Sequence, residues 1–123
     1  MQEYLYEDIT GESIGSAFEV YKKLGYGFLE KVYERALVVE LEDRNIKLEV
    51  QKPIQISYKG RIVGDYIADL LVDEKVIVEL KVEKEYNSRH EAQLINYLKA
   101  TNLKVGLLIN FGHDKCKPKR IVN

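Results

Sequence analysis

Residues 64–82 read GDYIADLLVDEKVIVELKV. Most of this stretch has the composition of two buried strands joined by the turn Asp73-Glu74-Lys75. Yet Asp69 sits inside IADLLV, and Glu79 and Lys81 sit inside VIVELKV. If the turn makes an antiparallel hairpin, Val72 faces Val76 and the register carries Asp69 opposite Glu79. Alternation along the strand then puts Glu79, Lys81 and Asp69 on one face. Directly opposed residues hold their β-carbons about 5 Å apart, so two carboxylates would repel each other while losing hydration.

Two arrangements relieve that repulsion. In one, Lys81 neutralises one carboxylate and an arginine such as Arg61 or Arg89 takes the other, which makes a structural ion-pair cluster. In the other, a divalent cation sits between the carboxylates. Magnesium needs only one or two carboxylates, with waters and substrate phosphate oxygens completing its shell. A lysine two residues along would then point at the same place, where it can position a water or stabilise developing charge. Two carboxylates and one amine fit the cation better.

Outward from the hairpin, the periodicity predicts an α/β chain. Ile14, Ala17, Phe18 and Tyr21 predict a helix over 11–24. Leu29, Val32, Tyr33 and Ala36 predict a second over 28–43, after the turn glycines Gly25 and Gly27 and before Asn45. The period changes at LEVQKPIQISY, residues 48–58, a strand whose Pro53 predicts an edge or a bulge. Lys59-Gly60 is a turn signal, and strands over 61–72 and 76–82 follow. SRHE, residues 88–91, reads as a capping box opening a helix to about Ala100. KVGLLINF, 104–111, reads as a buried strand, and the tail KCKPKRIV, 115–122, as an edge strand.

The composition bounds the function. The chain of 123 residues is expected to form a single domain, 1–123, and its 46% hydrophobic content is that of a globular protein. With 19 basic against 20 acidic residues, binding to a polyanion must be local. The one cysteine, Cys116, excludes an internal disulfide and is expected to be an ordinary thiol. The opening MQEYLYEDIT is acidic and lacks the regions of a secretion signal, and no apolar run is long enough to span a bilayer. No membrane association and a cytoplasmic location are expected.

At Asp69 and at Glu79-Leu80-Lys81 the sequence resembles the PD-(D/E)XK nuclease superfamily. GFLEKVY, with Gly27, Glu30 and Tyr33, is similar to the signature of its GxxExxY proteins. GDYIADLLV, VIVELK, HEAQLINYLKAT and GLLINFG resemble that group's blocks in its order, so the likeness runs from about Ile9 to Val122. One departure is Ala68, which stands where the superfamily often has proline, at a position that varies widely. The resemblance implies a restriction-endonuclease-like α/β fold, with a mixed central sheet flanked by helices. It implies Asp69 and Glu79 as metal ligands with the Leu80 carbonyl as a third, Lys81 as the catalytic lysine, and Glu30 as an acidic residue completing the site. Gln93 and Tyr97 look like the glutamine–tyrosine motif of some relatives.

Each assignment has a plainer counterpart. Glu30 stands three residues after Gly27, where a glutamate caps a helix. Gln93 and Tyr97, four apart on one helical face, can orient a water or Lys81, or simply be solvated. Tyr33 is expected to pack and to hydrogen-bond the edge of the site. His90, in a helix's first turn, reads as capping or surface, and His113 as a loop residue. Tyr33, Tyr97 and Arg89 are the candidates for touching substrate. Lys52, Arg61, Lys84, Arg89 and the tail cluster Lys115, Lys117, Lys119 and Arg120 are candidates for holding a phosphate backbone. The expectation is a nuclease dependent on Mg²⁺, or Mn²⁺, acting on DNA. Its small, near-neutral surface calls for a homodimer or a partner protein to grip a duplex. The rivals are a nucleic-acid-binding module that does not cut, and a protein-interaction domain built around a charge cluster.

Overall fold

Backbone conformations that side chains rarely adopt mark the corners of this chain. A computed structural model describes residues 5–123; the first four residues of MQEYLYEDIT lie outside the described part. Lys59 and Gly60 both have positive φ, 50° and 78°, as a tight hairpin turn requires. Asp73 and Glu74 do the same at 52° and 59°. These turns order the long central segment into β1 (Leu48–Tyr58), β2 (Arg61–Val72) and β3 (Val76–Lys81). Before them come α1 (Glu7–Leu24) and α2 (Glu30–Asp43); after them come α3 (Ser88–Thr101), β4 (Val105–Asn110) and β5 (Lys117–Val122).

The strands lie in the order β1-β2-β3-β4-β5. Only β3 and β4 are parallel, and α3 makes the crossover between them. One face packs on α1 and α2, through Tyr33, Leu37 and Leu41 against Leu70, Val78, Leu80 and Leu107. The other packs on α3, through Leu94, Tyr97 and Leu98 against Leu71, Ile77 and Leu108. The fold is the expected α/β restriction-endonuclease-like one: a mixed sheet with helices on both faces. No helix of the described residues is long and apolar enough to cross a membrane.

The helices differ from the expectation in detail. α1 begins four residues earlier, and Phe18 lies half exposed. α2 turns inward Tyr33, Leu37 and Leu41, spaced by four, while Leu29 is 78% exposed and Val32 38%. Leu29 is the N-cap, with extended φ and ψ, so it does not share the helix's buried face. Glu30 is therefore the first helical residue, not the third. At α3 the cap is Asn87, whose side chain accepts from the Arg89 N–H at 3.0 Å; Ser88 lies inside the helix and no Ser88–Glu91 box forms.

Two features shape the region beyond β3. The β2–β3 ladder runs from Val72↔Val76 only to Leu70↔Val78, so the outer part of β2 pairs with β1 alone. Across the sheet, Asn110 clamps the chain leaving β3. Its Nδ2 donates to the Glu83 carbonyl at 2.8 Å, and its Oδ1 accepts from the N–H groups of Glu83 and Gly112 at 3.1 and 2.8 Å. Gly112 lies so close that a β-carbon there would fall 2.2 Å from the Glu83 nitrogen. Gly112→Ala is expected to lower stability by about 1–3 kcal/mol. Urea unfolding of the two proteins checks this; an unchanged midpoint would show that the clamp is not tight.

Candidate active site

The hairpin register is the one the sequence predicts, but the ladder opens just where Asp69 and Glu79 would meet. The residues on either side explain why. Leu70 and Val72 belong to the α1/α2 core, whereas Ala68 and Leu71 belong to the α3 core, so the alternation of β2 breaks at Asp69. Opposite, Gln51 of β1 takes a positive φ of 57°, and the β1–β2 register skips the Gln51–Asp69 pair. A residue out of the pleat on each strand is a local irregularity of the kind that re-aims side chains beside functional sites.

Side chains replace the missing ladder bonds. The Asp69 N–H donates to Glu79 Oε1 at 2.8 Å, and the Leu80 N–H donates to Asp69 Oδ2 at 2.8 Å. Each carboxyl group thus holds the other strand's backbone with one oxygen. The second oxygen of each has no hydrogen-bond partner among the described residues. Lys81, two residues beyond Glu79, makes no ion pair within 4.0 Å among the described residues, nor do Arg61 and Arg89. The ion-pair cluster that the charges alone allowed is therefore not formed.

The electrostatics record the crowding. Glu79 is only 5% exposed, and burial first, then the charge of Asp69, pushes its carboxyl up to about 8. Burial also raises Asp69, with Glu34 adding to it, against the Leu80 N–H and the charge of Lys81. Glu30 is exposed at its surface, yet partial desolvation and then Asp69 raise its carboxyl, again against Lys81. Glu30, Asp69, Glu79 and Lys81 thus share one electrostatic neighbourhood, drawn from α2, β2 and β3.

The turn before α2 delivers Glu30 to that neighbourhood. Gly25 and Gly27 have φ of 77° and 110°, as turn glycines should. Tyr33, fully buried, stacks on Phe111 with ring centroids 4.6 Å apart. Its hydroxyl donates to the Gly25 carbonyl at 2.5 Å and accepts from the Phe28 N–H at 3.2 Å. This gives a physical reason for Gly27, Glu30 and Tyr33 at their spacing: the tyrosine ties down the loop from which the glutamate starts. With its ring buried and its hydroxyl occupied, Tyr33 presents no surface to a substrate.

One group escaped the sequence reading. Glu34 is buried, pairs with Lys31 at 2.6 Å, and accepts from Gln51 Nε2 at 2.5 Å. It links α2 to the irregular residue of β1 and bears on the charge of Asp69. Its position four residues after Glu30, on the same helical face, was the available signal; nothing in the sequence marks Gln51.

On the other face, Tyr97 is buried near Tyr66, with centroids 5.7 Å apart. Its hydroxyl is pushed up to about 12 by burial and then by Glu79. Gln93 and Arg89 lie with Tyr97 along a groove between α3 and the β1–β2 hairpin. Neither makes a hydrogen bond to Asp69, Glu79 or Lys81. His90 meets Glu83 at 2.8 Å and makes no hydrogen bond to Asp69 or Glu79, and the His113 carbonyl accepts from the Tyr21 hydroxyl. Cys116 is a buried thiol pushed up to about 12, so it is not a nucleophile. Lys52 pairs with Glu49 at 3.5 Å.

Does this donor set fit a divalent metal? Among the described residues, no three histidine, cysteine or acidic side chains stand close enough to hold one by themselves. Two carboxylates, each with one oxygen that no hydrogen bond occupies, are enough for a cation that keeps waters and takes substrate oxygens. Their mutual repulsion is also what such a cation would relieve. The set fits.

A family model described as the PD-(D/E)XK nuclease superfamily matches residues 7–121. Among solved structures, the chain is similar to one titled "Crystal structure of SSO0001", with a TM-score of 0.61 and 21% identity. The match covers 76% of this chain and 50% of that one, so this chain spans half the length of that protein, and the likeness speaks for the fold alone. A search of curated proteins found no match.

The raised Glu79 carboxyl has a consequence for the metal-free protein. The folded state holds this proton more tightly than the unfolded chain, whose carboxyl titrates near ~4.3. Its contribution to stability is fully present below that value and is lost as pH rises through about 8. Glu79→Gln is thus expected to melt several degrees above wild type at about pH 9, and level with it near pH 4–5. Calorimetric melting in chelator checks this; a difference independent of pH would contradict it.

Proposed function

The chain belongs to the PD-(D/E)XK nuclease superfamily, and from that premise we propose that it hydrolyses phosphodiester bonds in DNA at a Mg²⁺-dependent site. Members of this superfamily generally use divalent metals, and the family implies a nucleic-acid substrate. The observation that carries the reading is the opening of the β2–β3 ladder at two half-satisfied carboxylates, with the unpaired Lys81 beside them.

Asp69 and Glu79 would hold the metal through their free oxygens, with the Leu80 carbonyl as a third donor and Mn²⁺ as an alternative ion. Bound there, the metal would polarise the scissile phosphate and lower the pKa of a water. Lys81 orients the attacking water or stabilises charge building on the phosphorus oxygens. Glu30 completes the acidic rim from the start of α2. Its raised carboxyl and the loop tied by Tyr33 are consistent with a group that settles as the site loads. Glu34, held by Gln51, fixes the helical turn behind it. Gln93 is assigned to orienting water on the α3 side.

A second reading has its own support. No three ligand side chains stand together among the described residues, and the chain is nearly neutral. Both suit a module whose site is completed only when a partner or a second copy delivers nucleic acid.

Calorimetric titration with Mg²⁺ and Mn²⁺, alongside cleavage of single-stranded, duplex and branched DNA, separates the readings. Wild type is expected to bind metal and to cut only in its presence. Asp69→Asn should bind at least about tenfold more weakly, and Lys81→Met should bind metal while losing cleavage by at least about 100-fold. Metal binding without cutting supports the silent module. No metal binding by wild type alone sinks the nuclease reading, and none with DNA present sinks both.

A further inference from the structure

A cavity of about 340 Å³ lies beyond Lys81, at the C-terminal ends of the parallel strands β3 and β4. That end of a parallel pair is where α/β sheets bind ligands, and the size suits a small organic group. Its walls are the connection from β3 to α3 and the start of β5. The Asn110–Gly112 clamp on Glu83 fixes the first of these, so the cavity is preformed.

The sheet register arranges its cations. Lys81 pairs with Asn110, and Asn110 with Lys117, in one row across three strands; Leu108 pairs with Lys119 two residues along. Leu108 packs toward α3, so Lys117 and Lys119 stand on that face. Two strand spacings, about 10 Å, separate Lys117 from Lys81, within reach of a phosphate neighbouring the one at Lys81. Lys117 makes no ion pair among the described residues. Lys119 reaches Glu91 at 2.7 Å and lies 5.5 Å from the centre of the Tyr86 ring.

Charge alone does not select the ligand, because the wall also carries Glu83, held by His90, and Glu85. The selective elements are apolar: Leu108, Pro118 and the ring of Tyr86, which is 64% exposed. A flat, apolar-faced group joined to an anion satisfies both sets of residues. A nucleotide is such a group.

We propose that this cavity takes one unpaired nucleotide adjoining the phosphate to be cut, its base against Tyr86 and its phosphate on Lys117. The proposal rests on the nuclease reading of Asp69, Glu79 and Lys81, and it narrows the substrate. A base stacked and paired in a duplex cannot enter a cavity without leaving its helix. The substrate class is then a single strand, or a duplex with an unpaired end, flap or branch.

The test is fluorescence anisotropy with a labelled oligothymidylate and a fully paired duplex of equal length, in chelator so that nothing is cut. Tyr86→Ala is expected to weaken single-strand binding about tenfold, the loss of one stacked base. Tyr86→Phe should restore it, and duplex binding should not change. Lys117→Glu should weaken the single strand further. Equal effects on both forms, no effect of Tyr86→Ala, or no single-strand binding by wild type would each overturn the proposal. The underlying reading fails independently, if wild type shows no metal-dependent cutting. Conversely, Tyr86→Ala cutting a single strand at the wild-type rate would sink the cavity alone.

Discussion

The rest of the structure is arranged around the enforced approach of two carboxylates at the point where a strand ladder opens. Asp69 and Glu79 cannot be a ladder pair in an apolar sheet without large repulsion, and the chain avoids this by breaking the pleat on both sides. Gln51 goes to positive φ, the inward alternation of β2 changes at Asp69, and each acid takes a backbone N–H of the opposing strand. Those two hydrogen bonds satisfy the backbone but not the charge. The penalty remains as the raised carboxyls of Glu79 and Asp69. A fold optimised only for stability would replace both acids with apolar residues, since buried charges rarely add net stability.

The surrounding elements hold this arrangement from three directions. α2 enters from a glycine turn pinned by Tyr33, which brings Glu30 to the rim and Glu34 behind it. β3 carries Glu79 and Lys81 in parallel with β4, whose Asn110 fixes the chain just past the lysine. α3 closes the opposite face and sets Tyr97 near Glu79. Lys81 is thereby held between the carboxylates and a preformed cavity, which places a proposed reaction centre and a proposed nucleotide site on either side of one amine.

Much of this was legible in the sequence because it is encoded by period and by turn chemistry. The eight elements, the hairpin register through Val72 and Val76, and the shared face of Glu79 and Lys81 follow from alternation and from the Asp73-Glu74-Lys75 turn; that turn also brings Asp69 to them, though not as the ladder pair that alternation predicts. The helix N-termini were less legible. Leu29 caps α2 through backbone geometry alone, which composition does not mark, and this displaced Glu30 from its expected position. At α3 two good capping residues stand side by side, and Asn87 rather than Ser88 takes the cap, which removed the Ser88–Glu91 box. Glu34 and Gln51 were missed for different reasons. The glutamate looks like any polar helix residue until the helix is docked. The glutamine's role depends on a left-handed backbone that non-glycine residues adopt only when tertiary contacts impose it. The cavity by Tyr86 arises from β5 returning beside β4, a non-local event with no local sequence signature.

The central claim is that the paired carboxylates are built to receive a cation. The most direct test is an anomalous difference map from crystals of the protein grown with Mn²⁺. The account predicts one peak within about 2.0–2.6 Å of oxygens from both Asp69 and Glu79, with Lys81 facing it. Crystals showing no peak there, with both carboxyl groups still occupied only by the opposing backbone, would contradict it and leave the two acids as a structural feature of the sheet.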